Sequence, residues 1–181
     1  MRTVINKIFW DYEKEENWLN EMSAKGLALV DYFLIRYVFS DSAPGEYIYR
    51  IELLKERGSR PESKKYIAFM EESGAEHIAS YMWWAYFRRR ASEGRFDIYS
   101  DIDSKIAYYK RIRNFYFCGA AAQAAAGLYN IALFFIFIDG FLMLNFVTGI
   151  AVACLSAAFV RFGMKTRVKI QKLSERRNVS E

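Results

Sequence analysis

Hydrophobic and polar positions divide this chain into two parts. Residues 115–138 and 141–160 are free of charge and almost continuously apolar, with Asp139-Gly140 between them. At 1.5 Å per residue, each stretch is long enough to cross a hydrocarbon core about 30 Å thick. Asp-Gly suits a tight turn. The pattern predicts a transmembrane helical hairpin. Ahead of residue 114 the apolar positions are interspersed with charges at helix and strand periods, as in a water-facing domain.

In that front part, Glu13–Lys25 reads as a helix with Trp18, Leu19 and Met22 on one face and Glu15, Glu16 and Glu21 outside. Gly26 ends it. Residues 27–39 and 46–54, rich in aromatic and branched residues, read as strands joined by the turn Asp41-Ser-Ala-Pro-Gly45. The same order returns downstream. Trp18-Leu19, Met22 and Gly26 recur as Tyr66-Ile67, Met70 and Gly74 at an offset of 48, and Phe39 recurs as Phe87. The second copy gives a helix near 62–73 and strands near 76–90 and 95–99, with a turn at 91–94. A last helix, 101–113, starts at a Ser100 or Asp101 cap and leads towards the first span.

The predicted fold is therefore α+β: a duplicated αββ unit (αββαββα) with an antiparallel sheet, then an all-α two-helix hairpin. Its predicted divisions are a domain over 1–113, with repeats at 13–54 and 62–99, a hairpin over 114–164, and a basic tail over 165–181.

Charge sharpens the picture. The net charge is +5 and the mean hydropathy is −0.07, but both average unlike parts. Residues 1–113 hold 19 Lys and Arg against 18 Asp and Glu; residues 161–181 hold seven against two. The basic excess flanks the spans and does not mark a nucleic-acid surface. Lys105, Lys110, Arg111 and Arg113 precede the first span, and Arg161, Lys165, Arg167, Lys169 and Lys172 follow the second, while the connecting turn offers only Asp139. By the positive-inside rule both termini belong in the cytoplasm, and the chain is expected to cross a cell membrane twice.

Small residues are concentrated in the spans. Gly119, Gln123 and Gly127 on the first, and Gly149, Ala153 and Ala157 at four-residue spacing on the second, are the expected helix-packing positions, within one hairpin or across a homodimer. Gln123 is an amide within hydrocarbon and calls for a partner. In the front domain the aromatic wealth suggests a groove between the two halves. Its candidate lining is Tyr32, Tyr37, Tyr47, Tyr49, Trp83, Trp84 and Tyr86, with Glu52 among the carboxylates; the same residues also suit a core.

No catalytic constellation is legible. His77 is the sole histidine, and Cys118 and Cys154 both lie in the spans, so neither a metal site nor a thiol nucleophile is expected. Glycine-rich phosphate loops are missing. The expectation is a protein that is not an enzyme and carries no cofactor.

Several motifs in order resemble a known family. Trp18-Leu-Asn, Met22, Gly26 and Leu29, then Pro44-Gly-Glu-Tyr with Tyr49-Arg-Ile51, then Trp84, Tyr86-Phe-Arg88 and Ile98-Tyr-Ser-Asp101 resemble the bacterial family called domain of unknown function 2812. The resemblance covers about residues 9–112. It implies no known enzyme activity, and it implies an association with transcription regulators of the PadR type. Together these readings lead to the expectation of a membrane-anchored sensing or adaptor module that binds a cytoplasmic regulatory protein. The alternative is a direct sensor of small lipophilic ligands through the aromatic groove.

Overall fold

The computed structural model describes residues 2–136 and 142–180; the predicted Asp139-Gly140 turn lies outside them. The chain forms two compact units, Met1–Ile98 and Tyr99–Glu181.

The first unit is α+β. Strand β1 (Arg2–Asn6) leads into helix α1 (Tyr12–Ala24), then β2 (Leu27–Phe33), β3 (Arg36–Asp41) and β4 (Tyr47–Leu53). Helix α2 (Pro61–Glu72), β5 (Glu76–Tyr81), β6 (Trp84–Arg90) and a 3-10 turn over Ala91–Glu93 follow. The strands make two antiparallel sheets, ordered β1-β3-β2 and β4-β6-β5.

Three details differ from the sequence expectation. The expected strands 27–39 and 76–90 are each a hairpin, folded at Leu34-Ile35 and Met82-Trp83. Residues 95–99 are not a strand; Phe96 and Ile98 instead pack with Leu54, Met70, Ala85 and Phe87 in a second apolar cluster. Strand β1, unanticipated, pairs with β3 from Arg2 opposite Ser40 to Asn6 opposite Arg36. The element order is thus βαββ followed by βαββ. Forty-eight positions separate Gly26 from Gly74, both at positive φ, and Leu34 from Met82, also both at positive φ. The same interval separates the register shifts at Leu29/Asp31 and His77/Ala79.

Helix α1 starts where Asp11 accepts the Glu13 N–H at 3.1 Å. It ends at Gly26, whose φ of +80° relieves the last turn without a Cβ penalty. An added Cβ there would meet the Ser42 carbonyl oxygen at 3.0 Å. Leu19 and Met22 enter the main core with Leu29, Phe39 and Ile51.

A polar stripe on α1 runs beside β4, an outer strand of its sheet. The Glu16 carboxylate accepts the Ile51 N–H at 2.9 Å. Asn20 accepts the Tyr49 N–H at 2.9 Å and donates to the Tyr49 carbonyl at 3.2 Å. The Ser23 hydroxyl donates to the Tyr47 carbonyl at 2.7 Å and accepts the Tyr47 N–H at 3.2 Å. Residues 16, 20 and 23 share a helix face, and residues 47, 49 and 51 turn their backbone groups to the same edge. Side chains of a helix therefore supply what a further strand would supply.

The second unit is a pair of long helices, α3 (Ile102–Ile136) and α4 (Leu142–Ser180). The expected helix 101–113 and the first span are one helix, capped where Asp101 accepts the Ser104 N–H at 2.7 Å. It groups with the hairpin and not with the sheets. The expected basic tail is the continuation of α4. Gly149, Ser156, Gly163 and Ile170 are buried at seven-residue intervals along α4, facing Ile112, Tyr116, Ala120 and Gly127 of α3 among others. A seven-residue repeat of this kind is the signature of a coiled-coil seam. Here it passes from the apolar segment into the charged one without interruption.

Replacing Asn20 with Ala should lower stability by about 1–3 kcal/mol, because both backbone groups of Tyr49 lose a partner. Thermal unfolding of the full chain in detergent, followed by tryptophan emission, measures it. Replacing the exposed Glu21 with Ala should change stability by less than about 0.5 kcal/mol.

Candidate functional site

The most unusual chemistry of the first unit lies where α1 meets both sheets. Glu15, expected on the outside, is only 7% exposed. Position 15 precedes Leu19 by four and Met22 by seven residues, which puts it on the buried face whatever its charge. Tyr37 of β3 and Tyr86 of β6 each donate a hydrogen bond to its Oε1 at 2.7 Å. One carboxylate oxygen therefore ties the two sheets together. Tyr32 packs its ring against Tyr86 at 4.3 Å and Tyr37 at 4.8 Å between centroids, and its hydroxyl donates to the Leu34 carbonyl. Nearby, Tyr12 and Trp84 stack at 5.3 Å.

Burial raises the Glu15 carboxyl above the ordinary carboxylate range, and the two phenol donors offset this only in part. The Tyr37 and Tyr86 phenols are pushed up first by burial and then by the neighbouring Glu15 charge. They remain donors throughout the range in which the carboxyl titrates.

The other expected groove residues are distributed around this cluster. Tyr49 is fully buried, and its hydroxyl accepts the Leu29 N–H at 2.8 Å. Glu52 is 1% exposed on β4, opposite Ala85. Tyr47 is half-buried beneath the Arg88 guanidinium, 4.3 Å from its ring centre. Trp83 is a turn residue, with Arg57 above its ring at 4.9 Å. Thus Tyr32, Tyr37, Tyr49 and Tyr86 come together as packed interior, joined by Leu19, Met22, Leu29, Phe39 and Ile51. Glu15, the group that organises them, is the residue the sequence reading missed. Its i, i+4, i+7 relation to Leu19 and Met22 was the available signal.

Arg88 is held by Glu76 at 2.6 Å and by the Leu29 carbonyl at 2.9 Å, and Arg89 by Glu93 at 2.9 Å. His77 lies 2.8 Å from the Ser80 hydroxyl, and burial lowers its pKa. Among the described residues no group of three or more His, Cys, Asp or Glu gathers to hold a metal ion.

In the hairpin, a Cβ on Gly127 would stand 3.2 Å from the Gly149 carbonyl oxygen, so the two backbones touch there. The Phe159 ring fills the space over Gly119, and the Phe117 ring that over Gly163. The Ser156 hydroxyl donates to the Ala120 carbonyl at 2.8 Å. Ala153 and Ala157, expected to share the Gly149 face, are exposed. The Ala153 backbone nitrogen nonetheless stands 3.5 Å from where a Cβ on Gly127 would be, so the two helices also approach closely at position 153. A four-residue step advances about 40° around a helix, whereas a seven-residue step drifts by only about 20°. Gln123 is half-buried, and its Oε1 has no hydrogen-bond partner among the described residues. Cys118 and Cys154 face outward.

A two-sheet α+β unit followed by two helices long and apolar enough to cross a membrane defines the class of protein. Residues 11–121 match the family described as "Protein of unknown function (DUF2812)", and the chain belongs to that family. No curated protein and no solved structure matches it.

Glu15 binds its proton more tightly in the folded chain than in the unfolded one. The stability this gives is complete below the ordinary carboxylate pKa of 4.5 and is lost as pH rises through the raised folded value. Replacing Glu15 with Gln should remove that pH dependence. The melting temperature of Glu15→Gln relative to the parent chain should therefore climb as pH rises above 4.5 and then level off. A difference independent of pH would contradict the assignment.

Proposed function

We propose that this chain is a membrane-anchored regulatory adaptor: the helical hairpin spans the bilayer, and the first unit is a cytoplasmic binding module for a protein partner. The observation that carries the anchoring is the exposure of the two apolar helices. Only 11% of the most apolar stretch of each is buried within the molecule, so the apolar surface calls for a hydrocarbon surrounding. The core helices of a soluble domain would be largely covered.

The orientation rests on the cations at both helix flanks, from Lys105 to Arg113 and from Arg161 to Lys172, which favour retention of both ends in the cytoplasm. We read the first unit as a duplicated βαββ module, supported by the turns, glycines and register shifts that coincide at an offset of 48. A binding role, as opposed to catalysis, fits a unit whose buried carboxylate is engaged in joining its sheets. The proposed partner is a transcription regulator of the PadR type, on the family association alone.

The full chain should stay in the membrane pellet after alkaline carbonate extraction, and its release would remove the anchoring. Affinity purification from native membranes should recover such a regulator in stoichiometric amount, and deleting the chain should shift that regulator from the membrane to the soluble fraction. Recovery of the chain alone, with an unchanged distribution of the regulator, would reject the partner.

A further inference from the structure

Both hairpin turns of the first unit carry large apolar residues where water-facing turns carry Gly, Asn or Asp. The β2–β3 turn is Leu34-Ile35, with Leu34 at φ 58°, and the β5–β6 turn is Met82-Trp83, with Met82 at φ 54°. The first central position of a two-residue hairpin at positive φ normally belongs to Gly or Asn. Leu and Met there accept strain and also expose apolar surface.

The two tips lie at one end of the unit. Phe33 packs edge-on against Tyr81 at 5.5 Å, which brings the turns side by side. The Lys7 N–H donates to the Ile35 carbonyl at 2.9 Å, placing Ile8 beside the first tip. The Gly58 N–H donates to the Met82 carbonyl at 2.9 Å, placing Arg57 beside the second. The resulting apolar end includes Ile8, Phe33, Leu34, Ile35 and Met82, all exposed, with Phe33 64% exposed. Lys7, Arg36 and Arg57 adjoin these residues along the chain or through these backbone bonds. Lys7 also lies over the Phe9 and Trp18 rings, and Arg36 faces Asp31 at 4.0 Å with both side chains largely exposed.

We propose that these paired tips insert into the interfacial layer of an anionic membrane, giving the first unit its own contact with lipid besides the helical anchor. Apolar and aromatic side chains flanked by Lys and Arg are what an anionic headgroup layer over acyl chains accommodates. Tryptophan, here Trp83 in the second turn, is favoured at that depth. Lipid is favoured over a protein occupant because the surface is two protruding turns with cationic flanks and because the chain carries its own candidate spans. The inference rests on the anchored reading.

The test uses the full chain with Cys118 and Cys154 replaced by Ala, reconstituted in vesicles of phosphatidylcholine, with or without phosphatidylglycerol. Single spin labels are placed at Leu34→Cys, Met82→Cys, Ser92→Cys as an exposed control, and Ala125→Cys in the first apolar helix. Accessibility to oxygen and to a water-soluble nickel complex is measured for each. The expected result is hydrocarbon depth for position 125, and oxygen access with loss of nickel access for positions 34 and 82. That loss should be larger with phosphatidylglycerol, and position 92 should stay open to nickel.

Nickel access at 34 and 82 in both vesicles, with position 125 at depth, would overturn the tip insertion and leave the anchor standing. Nickel access at 125 would remove the anchor and this inference with it. Shielding of 34 and 82 from both relaxants would signify burial against protein, a second copy or a partner, and would also overturn it. Leu34→Gly with Met82→Gly suits the turn geometry; in that background a label at Ile35→Cys should regain nickel access, and continued shielding would contradict a role for the two side chains.

Discussion

Backbone hydrogen-bonding groups withdrawn from water must find partners, and the first unit meets this constraint at β4 with side chains. Glu16, Asn20 and Ser23 close the strand edge from Tyr47 to Ile51. Because these residues sit on α1, closing the edge of one sheet also fixes the helix that packs on the other. Glu15, one residue before the stripe, completes the arrangement by joining Tyr37 of one sheet to Tyr86 of the other. Four side chains on two turns of helix thus set how the two sheets meet. The matching positions of α2, Lys64, Ala68 and Glu71, lack that chemistry. The two halves share their turns and register shifts but not this contact.

The helical pair satisfies the same constraint differently. Each helix bonds its own backbone, which is the solution a bilayer demands, and association is left to close packing. Gly127 against Gly149, Phe159 over Gly119 and Phe117 over Gly163 bring the helices together without polar groups. Ser156 adds one hydrogen bond to a main-chain carbonyl. The seven-residue seam continues to Ile170 among the basic residues, and an Arg177–Asp103 ion pair at 3.1 Å lies beyond it. The charged ends are therefore a structured extension of the apolar pair.

Much of this was legible in the sequence. The helices around Leu19 and Met70, the glycines that end them and the two long apolar helices all follow from period and composition. The hairpin turns did not, because Leu34-Ile35 and Met82-Trp83 carry none of the residues by which turns are recognised, so each pair of strands reads as one long strand. On α4 the four-residue row includes Ala153, whose backbone meets Gly127, while the buried positions recur along the seven-residue row through Ser156. Glu15 reads as water-facing by its charge, although its spacing from Leu19 and Met22 places it inside. The aromatic residues expected to line a groove proved hard to assign because a tyrosine-rich core and a tyrosine-rich groove have the same composition; only contacts such as Tyr49 with the Leu29 amide distinguish them.

The central claim is that an apolar hairpin holds the two-sheet unit at the cytoplasmic face of a membrane, with both ends of the chain on that side. Single cysteines at Ser92 and Glu175, in a background with Cys118 and Cys154 replaced by Ala, test it most directly when a membrane-impermeant maleimide is applied to right-side-out and inverted vesicles. The account predicts that both positions react in inverted vesicles and neither in right-side-out ones. Reaction of the two positions from opposite sides, or of both from the outside, would contradict it.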